Sequence, residues 1–263
     1  ASNPTTGGTL NLSTVGLTTV NLGSGVVVTG GTLAGTAALT ASSATLDGVT
    51  LDTDLTIGLS GNLHLKNGLT FANNHVLNVG PGAGNGHSFL YYDNTQTVTG
   101  SGQIVFGAAN GYTNYLQANS NNGSILTLDT GITLAAKNGL SGSIQLGANT
   151  YDKIVNLGTI TANQSGYSFT TYGTFTNASG AHLNVSAGTF NLGNSTTATW
   201  SNAGNIAISG GTLNLGGALK TDNLGTIAQS ASGVVNFVGT LDNTAASNPT
   251  TGGTLNLSTV GLT

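Results

Sequence analysis

The sequence contains no cysteine, no methionine, no arginine and no glutamate. Its charged residues are four lysines and eight aspartates, 5% of the chain, for a net charge of −4. Without thiols it forms neither disulfides nor thiolate metal sites. Four scattered lysines make no basic track, which argues against nucleic acid as a partner. No apolar run approaches the roughly eighteen residues of a membrane span and no signal peptide opens the chain, so this segment is not expected to insert into a membrane. Good helix formers are scarce outside Leu and Ala, while β-branched and turn-forming residues abound, which excludes a helical protein.

What is present is glycine, 42 of 263 residues, with Thr, Ser and Asn supplying the polarity and 38% apolar residues to fill a core. The segment from Ala1 to Thr18 recurs without substitution from Ala246 to Thr263. Composition alone does not produce such an identity. The expected organisation is one full period (1–245) followed by the start of the next (246–263), all within one unit, 1–263.

Shorter periods lie inside the long one. A Gly-Thr-aliphatic or Gly-Thr-aromatic triplet begins at Gly8, Gly31, Gly158, Gly173, Gly188, Gly211, Gly225, Gly239 and Gly253. Around these triplets apolar and polar residues alternate, so Leu10, Leu12, Phe190, Leu192, Leu213 and Leu215 are expected inward on short half-buried strands. A second series, Asn156, Asn177, Asn202, Asn223 and Asn243, runs at spacings of 21, 25, 21 and 20. Counted across the long repeat, it continues to Asn21, then Asp47 and Asn67. Coils of about 20–26 residues with glycine-rich corners describe an all-β protein, a single parallel β-helix of about 11 coils, open-ended for head-to-tail continuation. Asn tolerates left-handed corner backbone, and stacked amides hydrogen-bond along a column. The rhythm breaks between Asn67 and Asn138. Strands are expected there at 96–98, 103–106 and 125–128, with projecting loops at 80–88 and 107–123 that form a decorated belt, residues 80–123.

Runs such as Ala44-Thr-Leu-Asp-Gly-Val-Thr-Leu-Asp-Thr-Asp-Leu-Thr-Ile57 and Gly210-Gly-Thr-Leu-Asn-Leu-Gly-Gly217 resemble very large bacterial tandem-repeat surface proteins. Those are β-helical adhesins and fibre proteins of the filamentous-haemagglutinin-like and autotransporter-like kinds. The resemblance lies in texture and coil pattern and covers nearly the whole chain. It implies export and an extracellular or cell-surface location. It carries no catalytic motif.

Asp47, Asp52 and Asp54 form the only carboxylate cluster and are the weak calcium candidate, set against a reading as corner and solvating residues. No other cofactor is expected. A glycosidase needs two flanking carboxyl groups, whereas Asp93, Asp129, Asp152, Asp222 and Asp242 stand singly. The lysines Lys66, Lys137, Lys153 and Lys220 are isolated, and His64, His75, His87 and His182 are too dispersed for a local metal motif. The chain is therefore expected not to be an enzyme. Tyr91, Tyr92, Tyr112 and Tyr115 lie in or beside the belt loops and are candidates for binding a glycan or a neighbouring filament. The assembly ends are Thr9, Leu10, Asn11 and Leu12, matched by Thr254, Leu255, Asn256 and Leu257. The expected partner is a further copy of the unit, head to tail, in covalent tandem or as a separate chain. The expected function is a structural unit of an extracellular fibre, with a glycan-binding adhesin stalk as the alternative and a polysaccharide-degrading β-helix enzyme as a remote one.

Overall fold

The computed structural model describes residues 8–80, 82, 84–109, 111–230, 232–245 and 248–252. Among the described residues up to Asp242, strands alternate with tight corners and stack parallel, each on its counterpart one coil away. The result is a parallel β-solenoid of about ten turns. Each coil contributes to three sheets. The first sheet includes Thr9–Asn11, Thr32–Ala34, Lys153–Asn156, Thr174–Asn177 and Thr199–Asn202. The second includes Thr19–Leu22, Asn205–Ile208 and Thr226–Gln229, and the third Val26–Thr29, Phe89–Tyr92, Thr113–Ala118, Thr212–Leu215 and Val234–Phe237. Two long strands, Ala38–Asp52 and Leu55–Val79, bend around corners and serve more than one sheet.

The turn count is lower than the spacing of Asn residues implies because the belt coils are wide. On the first sheet Leu69 pairs with Val98, Val98 with Leu128, and Leu128 with Asn156, so these coils exceed the expected range. The extra residues do not all project. Thr113–Ala118, expected within a loop, is a strand of the third sheet with Asn114, Leu116 and Ala118 buried. The strands expected at 96–98, 103–106 and 125–128 are present, the first two inside one bent strand, Gln96–Phe106.

Alternation builds the core. Leu12, Phe190, Leu192, Leu213 and Leu215 are buried, and the last four stack on like residues of neighbouring coils. The Phe169 and Phe190 rings, for instance, lie parallel with centroids 5.7 Å apart. Each buried side chain of this size contributes about 1.5–3 kcal/mol. Leu10 departs from the expectation. It shares a column with Leu33, but on the first coil it is 49% exposed.

Glycine sits where corners of successive coils touch. Gly225 has φ +58°, and a Cβ there would lie 2.2 Å from the Asn202 carbonyl oxygen. The last described segment breaks the parallel rule, because Thr244–Ala245 pairs antiparallel with Asn248–Gly252. Thr254, Leu255, Asn256 and Leu257 lie outside the described residues. Among the described residues no helix is long and apolar enough to cross a membrane.

Candidate functional site

Three surfaces are candidates: the amide columns, the aromatic belt, and the two terminal coils. The first amide column forms where first-sheet strands end. Asn156 donates through Nδ2 to Asn177 Oδ1 at 2.9 Å, and Asn177 Nδ2 to Asn202 Oδ1 at 2.8 Å. All three side chains are buried and continue the column of Leu69, Val98 and Leu128. Their backbone is not left-handed; of the expected corner residues only Asn67 has positive φ, +55°. Asn202 ends the column by donating to the carbonyls of Leu224 and Thr226. Asn223 lies in a single 3-10 turn, Thr221–Asn223, and Asn243 accepts from Thr221 Oγ1 at 2.7 Å. Five residues occupy the expected corner, therefore, and Asn156, Asn177 and Asn202 are linked there by their side-chain amides.

Asn21 and Asn67 belong elsewhere. Asn21 faces outward on the second sheet and accepts from Thr40 Oγ1. Asn67 sits at the corner between the third and first sheets, donating to Asp47 Oδ1 at 2.7 Å and accepting from Asn94 Nδ2 at 2.9 Å. A further amide column, Asn191, Asn214 and Asn236, runs up the outer surface of the third sheet. Asn236 Nδ2 donates to Asn214 Oδ1 at 2.8 Å, and Asn214 Nδ2 to Asn191 Oδ1 at 2.7 Å. Sequence reasoning placed Asn191 and Asn214 outward but did not join them, although the in-register Thr-x-Asn-x motifs carry the signal.

The aspartates are engaged by donors on neighbouring coils. Asp47 also meets Lys66 Nζ at 3.4 Å. Asp52 accepts from Asn73 Nδ2 at 2.7 Å, and Asp54 is 2.9 Å from His75 Nδ1. Asp47 lies at a different corner from Asp52 and Asp54, so the three do not converge, and no group of three metal-ligating residues occurs among the described residues. Asp152, which the sequence left as a solitary residue, is fully buried, and its carboxylate accepts the backbone N–H groups of Ala118, Ala148 and Asn149. Burial pushes its pKa up.

The four tyrosines separate. Tyr92 is buried in the core, its hydroxyl donating to the Lys153 carbonyl and accepting from the Lys153 N–H, so it is not available for surface binding. Burial pushes its pKa up. Tyr91, Tyr112 and Tyr115 face outward on or beside the third sheet. Phe89 and Tyr115 stack at 4.8 Å, Phe89 and Tyr91 at 5.4 Å, and His64 and Tyr91 at 4.8 Å. Tyr112 meets His87 edge-on at 5.1 Å. The stacked rings use their faces on one another. Two of these stacks, Phe89 with Tyr115 and His64 with Tyr91, join successive coils.

The terminal coils hold most of the remaining apolar surface. Among the described residues, the exposed large hydrophobic side chains are Leu10, Val15, Leu17, Val26 and Val27 near the first coil and Val234, Phe237 and Val238 on the last, with Leu59 and Tyr151 between. No known protein family, curated protein or solved structure matches this chain.

Proposed function

We propose that this chain is a repeat unit of an extracellular β-solenoid fibre, continued end to end by further copies of itself. The observation that carries this reading is the segment beginning at Ala1, which returns unchanged at Ala246. It occurs in a fold whose coils satisfy their backbone only through the coils above and below. The apolar residues on both terminal coils support the reading, since continuation would bury them. The extracellular location follows from the resemblance to bacterial surface fibres and from a neutral, amide-rich surface. The unit is non-enzymatic on this reading, its aspartates serving as structural acceptors.

The test is a chain of two periods, residues 1–245 followed by 1–263, examined by small-angle X-ray scattering and electron microscopy. One solenoid coil rises about 4.8 Å, so a unit is about 50 Å long and two units should form a single straight rod of about twice that length. Two globular bodies on a flexible connection would overturn the proposal.

A further inference from the structure

The number of turns in the long repeat decides which surfaces meet where one unit passes into the next. We propose that each unit is docked on the preceding one a single sheet out of phase. The first-sheet strand Thr9–Asn11 of one copy then seats on the third-sheet strand Val234–Phe237 of the copy before it. This rests on the fibre reading and identifies its joining surface and its partner, a second copy of this chain.

The argument is one of reach. Within a coil the chain passes from first to third sheet over lengths that run from Thr32 to Ala44, through Thr174 to Thr189, Thr199 to Thr212, Ala218 to Val234 and Thr9 to Val26, to Thr70 to Leu90 in the wide belt. These are separations of about 12–20 residues, consistent with two short strands and two corners at about 3.3 Å per residue. A complete coil is longer than the passage within it; the shortest, on the second sheet, runs from Leu39 to Leu55. The last first-sheet strand among the described residues is Thr240–Asp242. In a tandem, where the antiparallel pairing of Thr244–Ala245 with Asn248–Gly252 opens so that the coil runs through, the Thr9 of the next copy takes position 254. The interval from 240 to 254 is shorter than that from Leu39 to Leu55, too short for a full turn back to the first sheet. It falls within the span of a passage to the third sheet. From Val234 to position 254, by contrast, is an ordinary coil length, close to Thr212 to Val234. So is the interval from Thr240 to the next copy's Thr19, which would directly follow Thr263.

Side chains agree with this placement. In the register Val235 to Leu10, Asn236 to Asn11 and Phe237 to Leu12, the inward columns Leu213–Val235 and Leu215–Phe237 gain leucine caps. Phe237, 39% exposed on the last coil, and Leu10, 49% exposed on the first, cover the ends of adjoining columns. The outward amide column Asn191–Asn214–Asn236 gains Asn11. Its polarity calls for an incoming Nδ2 donor, since Asn214 and Asn236 each donate to the Oδ1 of the coil before. Asn11 already uses Oδ1 on the N–H groups of Ser13 and Thr14, which leaves its amide nitrogen for that role. A unit is thus about ten and two-thirds turns, and the aromatic strip returns to the same side of the fibre after about three units.

The chain contains no cysteine, so crosslinks can be placed singly. In the two-period chain, Asn236→Cys in the first unit and Asn11→Cys in the second should form a disulfide, because in-register neighbours on adjacent strands stand about 5 Å apart. Asp242→Cys in the first unit with Asn11→Cys in the second should not. Free-thiol titration and mass spectrometry of the linked peptides read the result. Electron cryo-microscopy of the unsubstituted two-period chain gives a second measurement, in which the aromatic strip of the second unit should be turned about 120° from that of the first, one sheet of a three-sheet solenoid. A 242–11 link, or a straight double-length rod with no turn, overturns the phase and leaves the fibre reading intact. Two separated bodies overturn both.

Discussion

At the scale of single residues, buried amides behave differently according to their place in a column. Asn156 stands at the foot, above Leu128, and its Oδ1 is buried without a hydrogen-bond partner. Asn156→Leu removes that orphan and creates another, at Asn177 Oδ1, so the number of unsatisfied acceptors does not change. Asn177→Leu instead adds one, leaving both Asn156 Oδ1 and Asn202 Oδ1 unpaired. Each buried unsatisfied group costs about 1–3 kcal/mol. Urea denaturation should show Asn177→Leu destabilising by about 2–3 kcal/mol and Asn156→Leu by about 1 kcal/mol or less. Equal losses would mean that the column does not act as a chain of bonds.

Asp152 sets a pH dependence at the same scale. Its carboxyl is raised above the ordinary 3.8 mainly by burial, against which three backbone N–H donors work to lower it. The folded state therefore holds this proton more tightly than the unfolded chain. Its contribution to stability is fully present below the unfolded value, is lost as pH rises through the folded value, and is constant above it. Stability measured from about pH 3 upward should fall over that window in the native chain. Asp152→Asn should flatten the fall; an unchanged profile would assign it to other groups.

Corners decide what an element can do. A strand of four residues, such as Thr226–Gln229, is stable here only because its corner lets the next coil approach to sheet distance. Gly225→Ala combines left-handed backbone with a Cβ against the Asn202 carbonyl and should destabilise by about 2 kcal/mol or more. Gly16→Ala is the control. Gly16 has φ +73° with nothing near its Cβ position, so only the backbone penalty of about 1 kcal/mol should appear. Comparable losses at both sites would remove close approach as the reason for the Gly-Thr triplets. The strand Thr113–Ala118 shows the limit of sequence reading at this scale. Asn114 occupies an inward position that alternation reserves for an apolar residue. It is tolerated because its Oδ1 accepts from the Ser88 N–H and its Nδ2 donates to the Val79 carbonyl, both on the coil below. Nothing in the local sequence announces partners 26 and 35 residues away.

For the whole molecule, cohesion is apolar and amide-based. The ion pair between Lys66 and Asp47 lies at the surface, at 3.4 Å, where such pairs contribute about 0–1 kcal/mol. With a net charge of −4 distributed over a rod, added salt has little to screen. The thermal midpoint should therefore move by less than about 2 °C between about 50 mM and about 500 mM sodium chloride. A larger shift would show that charge contributes materially to the stack.

The sequence by itself determined the class of fold, the inward leucine and phenylalanine columns, and the return of the Ala1–Thr18 segment at Ala246, because alternation and repetition are local or literal properties of a chain. Only the tertiary structure decided which Asn residues share a column, that Tyr92 faces the core, and how wide the belt coils are. Those follow from register between coils, and register depends on the length of every corner in between. The same physics separates a period from a turn. An identical segment fixes where the chain repeats, and the sum of coil lengths fixes on which face of the solenoid it does so.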